Sequence, residues 1–364
     1  MATRTPTASS GPAVATDSVT FGYTDPDHRL AGVRLLQEVR VPGDRLDLTR
    51  TADGWSLTLP RPPVWRLEYR LELRRDSGHG VVSEEVCDPA NPLRAPGAFG
   101  DKSVLEFPDY RRPAWLDATS AGAAAPGAQT EIRIPSRYLR AEVGVRLWAP
   151  VDAAPTERLP LLVAHDGPEY DALSGLTTYA AAMLAAGRLP RHRIALLAPG
   201  ERDEWYSASV SYARALALAV LPTLRRRVAV EAPVVGMGAS LGALAALHAQ
   251  RRHPDLLGGL FLQSGSFFDR RLDPQERGFA RYGRITRFVA DTRRRTLAAQ
   301  PVPATLTCGE LEENLDNNRD MAATLDEQGY RVGLVELPDV HNYVAWRDAF
   351  DPHLTALLAG VWGR

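Results

Sequence analysis

The chain has 364 residues, 45% of them hydrophobic, and a formal net charge of −1 at pH 7. That length suits one large domain or two ordinary ones, with enough apolar residues for a sizeable core. The near-neutral charge gives no electrostatic reason to expect nucleic acid or an anionic membrane as a partner, and no stretch reaches the roughly 18 apolar residues of a membrane span.

Residues 1–17 are small, polar and proline-containing, without the apolar core of a secretory signal, so a cytoplasmic protein is expected. Between residues 18 and 116 short β-prone runs (33–36, 55–59 and 65–71) alternate with turn-rich pieces such as Ala52-Asp53-Gly54 and Asp76-Ser77-Gly78. Strands at this spacing predict a small antiparallel β-sandwich rather than βαβ units. Asp88-Pro89-Ala90-Asn91-Pro92 reads as an exit loop, and the small-residue run 118–129 sets a linker at 117–130. Cys87 and Cys308 lie far apart and lack metal-ligand spacing, so both are expected as reduced thiols.

From residue 131 to 364 the pattern becomes α/β. Strands are predicted at 133–134, 141–148, 161–164, 194–197, 260–262, 304–307 and 333–337. Helices are predicted at 176–186, 212–227, 317–328 and 346–358. Such alternation implies a mostly parallel sheet covered on both faces, with a site at the carboxyl ends of the strands.

Midway through this region an apolar run passes through Gly238-Ala239-Ser240-Leu241-Gly242 into an alanine- and leucine-rich helix. Strand, sharp turn and helix with a serine at the tip form a G-x-S-x-G nucleophile elbow, whose glycines let strand and helix approach closely. Serine needs a base, and the base needs an orienting acid. His341 follows the last predicted strand and is the candidate base, whereas His248 and His253 belong to the helix after the elbow, and His353 is read as a surface side chain. The acid is expected after strand 304–307, where Glu310, Glu312 and Glu313 all stand; Asp339 shares the histidine's own loop and is the weaker candidate. Charge developing on a carbonyl oxygen calls for waiting N–H groups, for which Leu241 and Gly167 are the candidates. Pro168 has no N–H to give.

Taken together these residues resemble the enterochelin (enterobactin) esterase-like branch of the Putative esterase family of α/β-hydrolases. The similarity spans nearly the whole chain. In the N-terminal part it rests on the 65–71 strand and Asp88-Pro89-Ala90-Asn91-Pro92. In the catalytic part it rests on Asp166-Gly167, the 202–205 segment, residues 238–242, Gln263-Ser264-Gly265-Ser266-Phe267, and His341 with Trp346-Arg347. The resemblance implies an Ig-like sandwich ahead of an α/β-hydrolase domain. It implies Ser240, His341 and Glu312 as the triad, Glu312 being favoured by its spacing from Gly309 and Asn318-Arg319. It also implies a small-molecule ester as substrate, such as a ferric catecholate siderophore, and neither metal nor organic cofactor. The sequence departs from the family where the histidine sits in Asp339-Val340-His341-Asn342, without the usual preceding glycines. Arg202, Trp205, Phe267 and Trp346 are candidate substrate contacts. Nine arginines between residues 268 and 295, Arg281 and Arg284 among them, are read either as a solvated helical face or as an electropositive rim for an anionic substrate. An acyltransferase and a non-catalytic ligand-binding protein on the same scaffold remain as other readings.

Overall fold

The computed structural model describes residues 11–39, 45–120, 127–294 and 300–363. The chain divides into two compact units, Met1–Arg111 with Pro338–Val340, and Arg112–Leu337 with His341–Arg364. Part of the small-residue run, 121–126, lies outside the described residues, as does Arg295.

Among its described residues the first unit carries nine strands: β1 (Ala13–Val14), β2 (Ser18–Thr24), β3 (Gly32–Gln37), β4 (Thr49–Thr51), β5 (Gly54–Pro60), β6 (Arg66–Asp76), β7 (Val81–Val86), β8 (Arg94–Ala95) and β9 (Lys102–Glu106). They form two antiparallel sheets, one in the order β1-β2-β5-β4 and the other β3-β6-β9-β8 with β7 paired to β6. Phe21 of the first sheet meets Tyr69 of the second edge-on, with ring centroids 5.1 Å apart. The Asp88-to-Pro92 segment closes this core. The buried Tyr69 hydroxyl donates to Asp88 (2.6 Å), while Asn91 donates to Tyr69 (3.1 Å) and to the Val104 carbonyl (2.7 Å). Burial keeps the Tyr69 phenol protonated, so it stays a donor.

The second unit is built on an eight-stranded sheet in the order β10-β11-β13-β12-β14-β15-β16-β17. Its strands are β10 (Ala128–Ser136), β11 (Ala141–Ala149), β12 (Leu159–Ala164), β13 (Arg193–Leu197), β14 (Val230–Ala239), β15 (Gly259–Gln263), β16 (Pro303–Gly309) and β17 (Arg331–Leu337). β10 and β11 are the antiparallel edge, and the other six run parallel. Every residue of β12, β13 and β15 is buried. That is why their inner segments, 161–164, 194–197 and 260–262, read in sequence as continuous apolar runs rather than as alternations. Within β12, Leu161 and Val163 join the core on one face while Leu162 and Ala164 join the core on the other.

The face of Leu161 is covered by the helical stretch 210–227 and the helices Leu241–Arg252, Tyr282–Arg293 and Leu315–Asp326; the opposite face is covered by Leu176–Ala185 and the C-terminal helices. With strands covered on both sides, a polar site has room only at an end of the sheet.

Two helices differ from the sequence reading. The predicted helix 212–227 starts at Val210 and passes through a π turn at Leu216–Val220. Pro222 stands two residues after the end of this turn; lacking an N–H, it cannot continue the i→i−4 ladder, and the wider turn absorbs the missing bond. The predicted helix 346–358 is broken: Tyr343–Asp348 ends, Asp351 leaves helical geometry with φ −116°, and Thr355–Trp362 resumes. Asp351 precedes Pro352, whose ring disfavours helical backbone in the residue before it. His353, expected on the surface, is half-buried in this break.

Candidate active site

The parallel strands β14 to β17 end on one edge of the sheet, and each is followed by a piece of the site. After β14, Ser240 adopts φ 55° and ψ −124° and caps the helix Leu241–Arg252. A non-glycine residue takes positive φ only when the surroundings impose it, at a cost of order 1–3 kcal/mol. Here the flanking glycines make the turn possible. A Cβ on Gly238 would lie 2.4 Å from the Gly242 carbonyl carbon, and one on Gly242 would lie 3.2 Å from His165 Cβ. Strand and helix are thus in backbone contact beside the serine, and the side chains of His165 and Asp166 from the turn after β12 crowd the start of the helix.

Leu241 and Gly167 are the first residues of their helices, Leu241–Arg252 and Gly167–Ser174. First-turn amides have no carbonyl a turn earlier to bond to, which leaves them available to an oxyanion. Gly167 also tolerates no side chain, since a Cβ there would sit 2.3 Å from Leu196 Cα. The turn before it is held by Asp166, at φ 51°, whose carboxylate accepts a fork from Arg202 (Nε to Oδ1 2.9 Å, Nη2 to Oδ2 2.9 Å) and whose N–H donates to the Tyr206 hydroxyl (3.2 Å).

After β16, Glu312 points its carboxylate inward, with its side chain only 2% exposed, while Glu310 and Glu313 are exposed. Glu312 Oε1 accepts from the Gly309 N–H (2.8 Å) and the Ser264 hydroxyl (2.7 Å), and Oε2 lies 2.8 Å from His341 Nδ1. The carboxylate oxygen is the acceptor in this pair, so Nδ1 is the ring nitrogen that donates, and in the neutral imidazole the lone pair falls to Nε2. Trp346 packs edge-on against the imidazole with centroids 5.0 Å apart, and its indole N–H donates to Ser264 Oγ (2.9 Å). After β15, Ser266 Oγ stands 3.0 Å from Ser240 Oγ.

The remaining candidates are placed as follows. Arg202 is engaged by Asp166, Trp205 is buried, and Phe267 is fully buried, which removes it from reach of a surface ligand and makes it a packing residue. Trp346 belongs to the histidine's surroundings. Arg281 and Arg284 both pair with Glu204, and Arg284 also donates to the carbonyls of Glu204 and Ser207. They tie helix Tyr282–Arg293 to the 204–207 segment instead of standing open. Asp339 is buried, and its carboxylate accepts from the Val340 N–H at 2.8 Å. His248 packs edge-on against Phe288. Burial suppresses the ionisation of the Cys308 thiol, making it inert, and both Cys87 and Cys308 are free thiols.

The sequence reading passed over Ser264 and Ser266 as functional groups. Their signal was present in Gln263-Ser264-Gly265-Ser266-Phe267, but two serines in a polar turn carry no pattern by themselves, and only the fold puts one against Glu312 and the other against Ser240.

The family model described as "Putative esterase" matches residues 136–357. No curated protein sequence matches the chain. Among solved structures, the ferric enterobactin esterase from Salmonella typhimurium is similar at a TM-score of 0.79 and 19% identity, covering 97% of this chain and 98% of that one. The enterobactin esterase from Shigella flexneri, with 2,3-dihydroxy-N-benzoyl-glycine, gives 0.74 and 21%, covering 97% and 96%. A ferulic acid esterase gives 0.51 and 16% over 64% of this chain and 99% of its own.

Proposed function

The chain belongs to the Putative esterase family, and from that premise we propose that it hydrolyses a carboxylic ester through an acyl-enzyme formed on Ser240. The observation that carries this reading is the strained elbow, which presents Ser240 at φ 55° from the end of β14. Ser240 Oγ attacks the ester carbonyl as His341 Nε2 takes its proton. Glu312 holds the imidazole in that tautomer and stabilises the imidazolium. The amides of Leu241 and Gly167 receive the oxyanion. Collapse returns the proton to the leaving alcohol, and water, deprotonated by His341, then releases the acid and regenerates Ser240. Replacing Ser240 by Ala should lower kcat for p-nitrophenyl esters by at least about 1,000-fold while leaving the urea midpoint unchanged. Wild-type turnover in that variant, or failure of a fluorophosphonate probe to label Ser240, would overturn the mechanism.

For the substrate, the likeness to enterobactin esterases over both units supports a catecholate trilactone, with iron arriving as part of the substrate. A second reading, a neutral feruloyl or acyl ester, is favoured by one observation: Arg281 and Arg284 are engaged by Glu204 rather than open to an anion. Specificity constants on a panel of trilactone, feruloyl and short acyl esters decide between them. A competing alcohol acceptor in the same assay reveals transferase activity.

A further inference from the structure

The turn Ser264-Gly265-Ser266 touches the candidate triad at both ends. Ser264 Oγ bonds the acid and Ser266 Oγ meets the nucleophile, so two residues two positions apart reach the carboxylate after β16 and the hydroxyl after β14. We propose that this turn is a positioning element that fixes Glu312 and Ser240 in one register, with Ser264 and Ser266 as positioning residues of the reaction. The proposal rests on the serine-esterase reading given above.

The hydrogen-bond polarity at Ser264 follows from its partners. An indole N–H can only donate and a carboxylate can only accept, so Ser264 Oγ accepts from Trp346 and donates its single proton to Glu312 Oε1. With Gly309 N–H also on Oε1, that oxygen is satisfied, and Oε2 is left for His341. The carboxylate therefore cannot swing without breaking two donors. Trp346 is held at its other end too: its carbonyl accepts from Gln263 Nε2 (3.1 Å), and the Gln263 Oε1 accepts from the Tyr170 hydroxyl (2.9 Å).

The turn itself is rigid. Ser264 sits at φ 46°, a left-handed conformation unusual for serine. Its N–H donates to the Thr307 carbonyl (2.7 Å). Gly265 is gripped on both sides by one buried amide, accepting from Asn318 Nδ2 at its carbonyl and donating its N–H to Asn318 Oδ1, each at 2.9 Å. No side chain fits at Gly265, because a Cβ would lie 2.2 Å from the ring of Phe267 beneath it. Towards the nucleophile, the Ser266 N–H donates to the Ser240 carbonyl (3.1 Å) and the Ser240 N–H donates to the Gln263 carbonyl (2.9 Å). A serine hydroxyl has three staggered positions, and the Ser266 hydroxyl selects the one that keeps Ser240 Oγ beside it. The acid and the nucleophile are thus set by a single short piece of backbone.

Removing the two hydroxyls separately tests this in the full chain, with p-nitrophenyl ester kinetics across pH. Ser264→Ala and Ser264→Gly both delete the donor to Glu312, and the glycine variant also relieves the positive φ. Each should lower kcat about 10- to 100-fold, the scale of a lost hydrogen bond to a charged group, and both should shift the acidic limb of kcat/KM upward, since a less satisfied carboxylate holds the imidazolium more strongly. Ser266→Ala should lower kcat several-fold with KM unchanged, slow fluorophosphonate labelling of Ser240, and leave the acidic limb where it is. Variants that lose only thermal stability, with kcat and the limb in place, overturn the positioning role while an active wild type keeps the esterase reading. A wild type that neither turns over esters nor labels at Ser240 removes that reading and the proposal with it.

Discussion

Ser240, Gly238 and Gly167 show how little freedom single residues have around the elbow. A methyl group on Gly238 would meet backbone of Gly242, which cannot rotate away, so Gly238→Ala should destabilise the fold by about 1–3 kcal/mol and abolish ester turnover; urea unfolding and kinetics measure the two effects. Gly283, inside the helix Tyr282–Arg293, has open space where its Cβ would go. Gly283→Ala should raise stability by about 0.5–1 kcal/mol, and a loss there would contradict the helix. Arg202 belongs to the same scale. Its planar fork matches the Asp166 carboxylate at two points, which an ammonium cannot reproduce. Arg202→Lys is therefore expected to lower kcat by loosening the Gly167 turn, with a smaller effect on KM.

Among the elements, the central parallel strands β12, β13 and β15 were the most legible part of the sequence, because full burial leaves them mostly apolar. Less legible were the helices interrupted by proline, where a periodic apolar pattern continues across a backbone that cannot. The arginine-rich helix Tyr282–Arg293 shows a different limit. The charges of Arg281 and Arg284 at its start were visible in the sequence, but their partner, Glu204, lies 77 and 80 residues earlier. Exposed ion pairs contribute roughly 0.2–1 kcal/mol each. Arg281→Ala with Arg284→Ala should cost about 1 kcal/mol in a urea titration and change KM equally for anionic and neutral esters. A selective rise in KM for a ferric catecholate would instead return these arginines to the substrate.

For the whole molecule, acid stability follows from the buried histidines. Burial pushes His192 down to about 4 and His248 to about 3, the latter helped by Arg252, Arg284 and His253, and it also lowers His165. The folded protein keeps these rings neutral, whereas the unfolded chain protonates them near 6.5. Below that value the unfolded state binds more protons, so stability is full above about pH 6.5 and declines as pH falls towards about 4, by up to about 1.4 kcal/mol per pH unit for each histidine. Urea midpoints at pH 7.5 and 5 should show this decline, and His248→Leu should flatten it by one proton's worth. A midpoint independent of pH would contradict the burial.

The amino-acid sequence by itself determined the mixed α/β fold, the antiparallel N-terminal sheets and the serine elbow, because each is written in local order: strand and helix periodicity, turn residues, glycines flanking a serine. It left three glutamates open on one loop, and its resemblance to a family was needed to prefer Glu312. Tertiary structure alone decided that Glu312 meets His341 while Glu310 and Glu313 face solvent, that Arg281 and Arg284 answer to Glu204, and that Ser264 meets Glu312 while Ser266 meets Ser240. Those contacts join residues 26 to 80 positions apart. No local pattern encodes such distances, because they exist only once parallel strands bring their carboxyl ends to one edge.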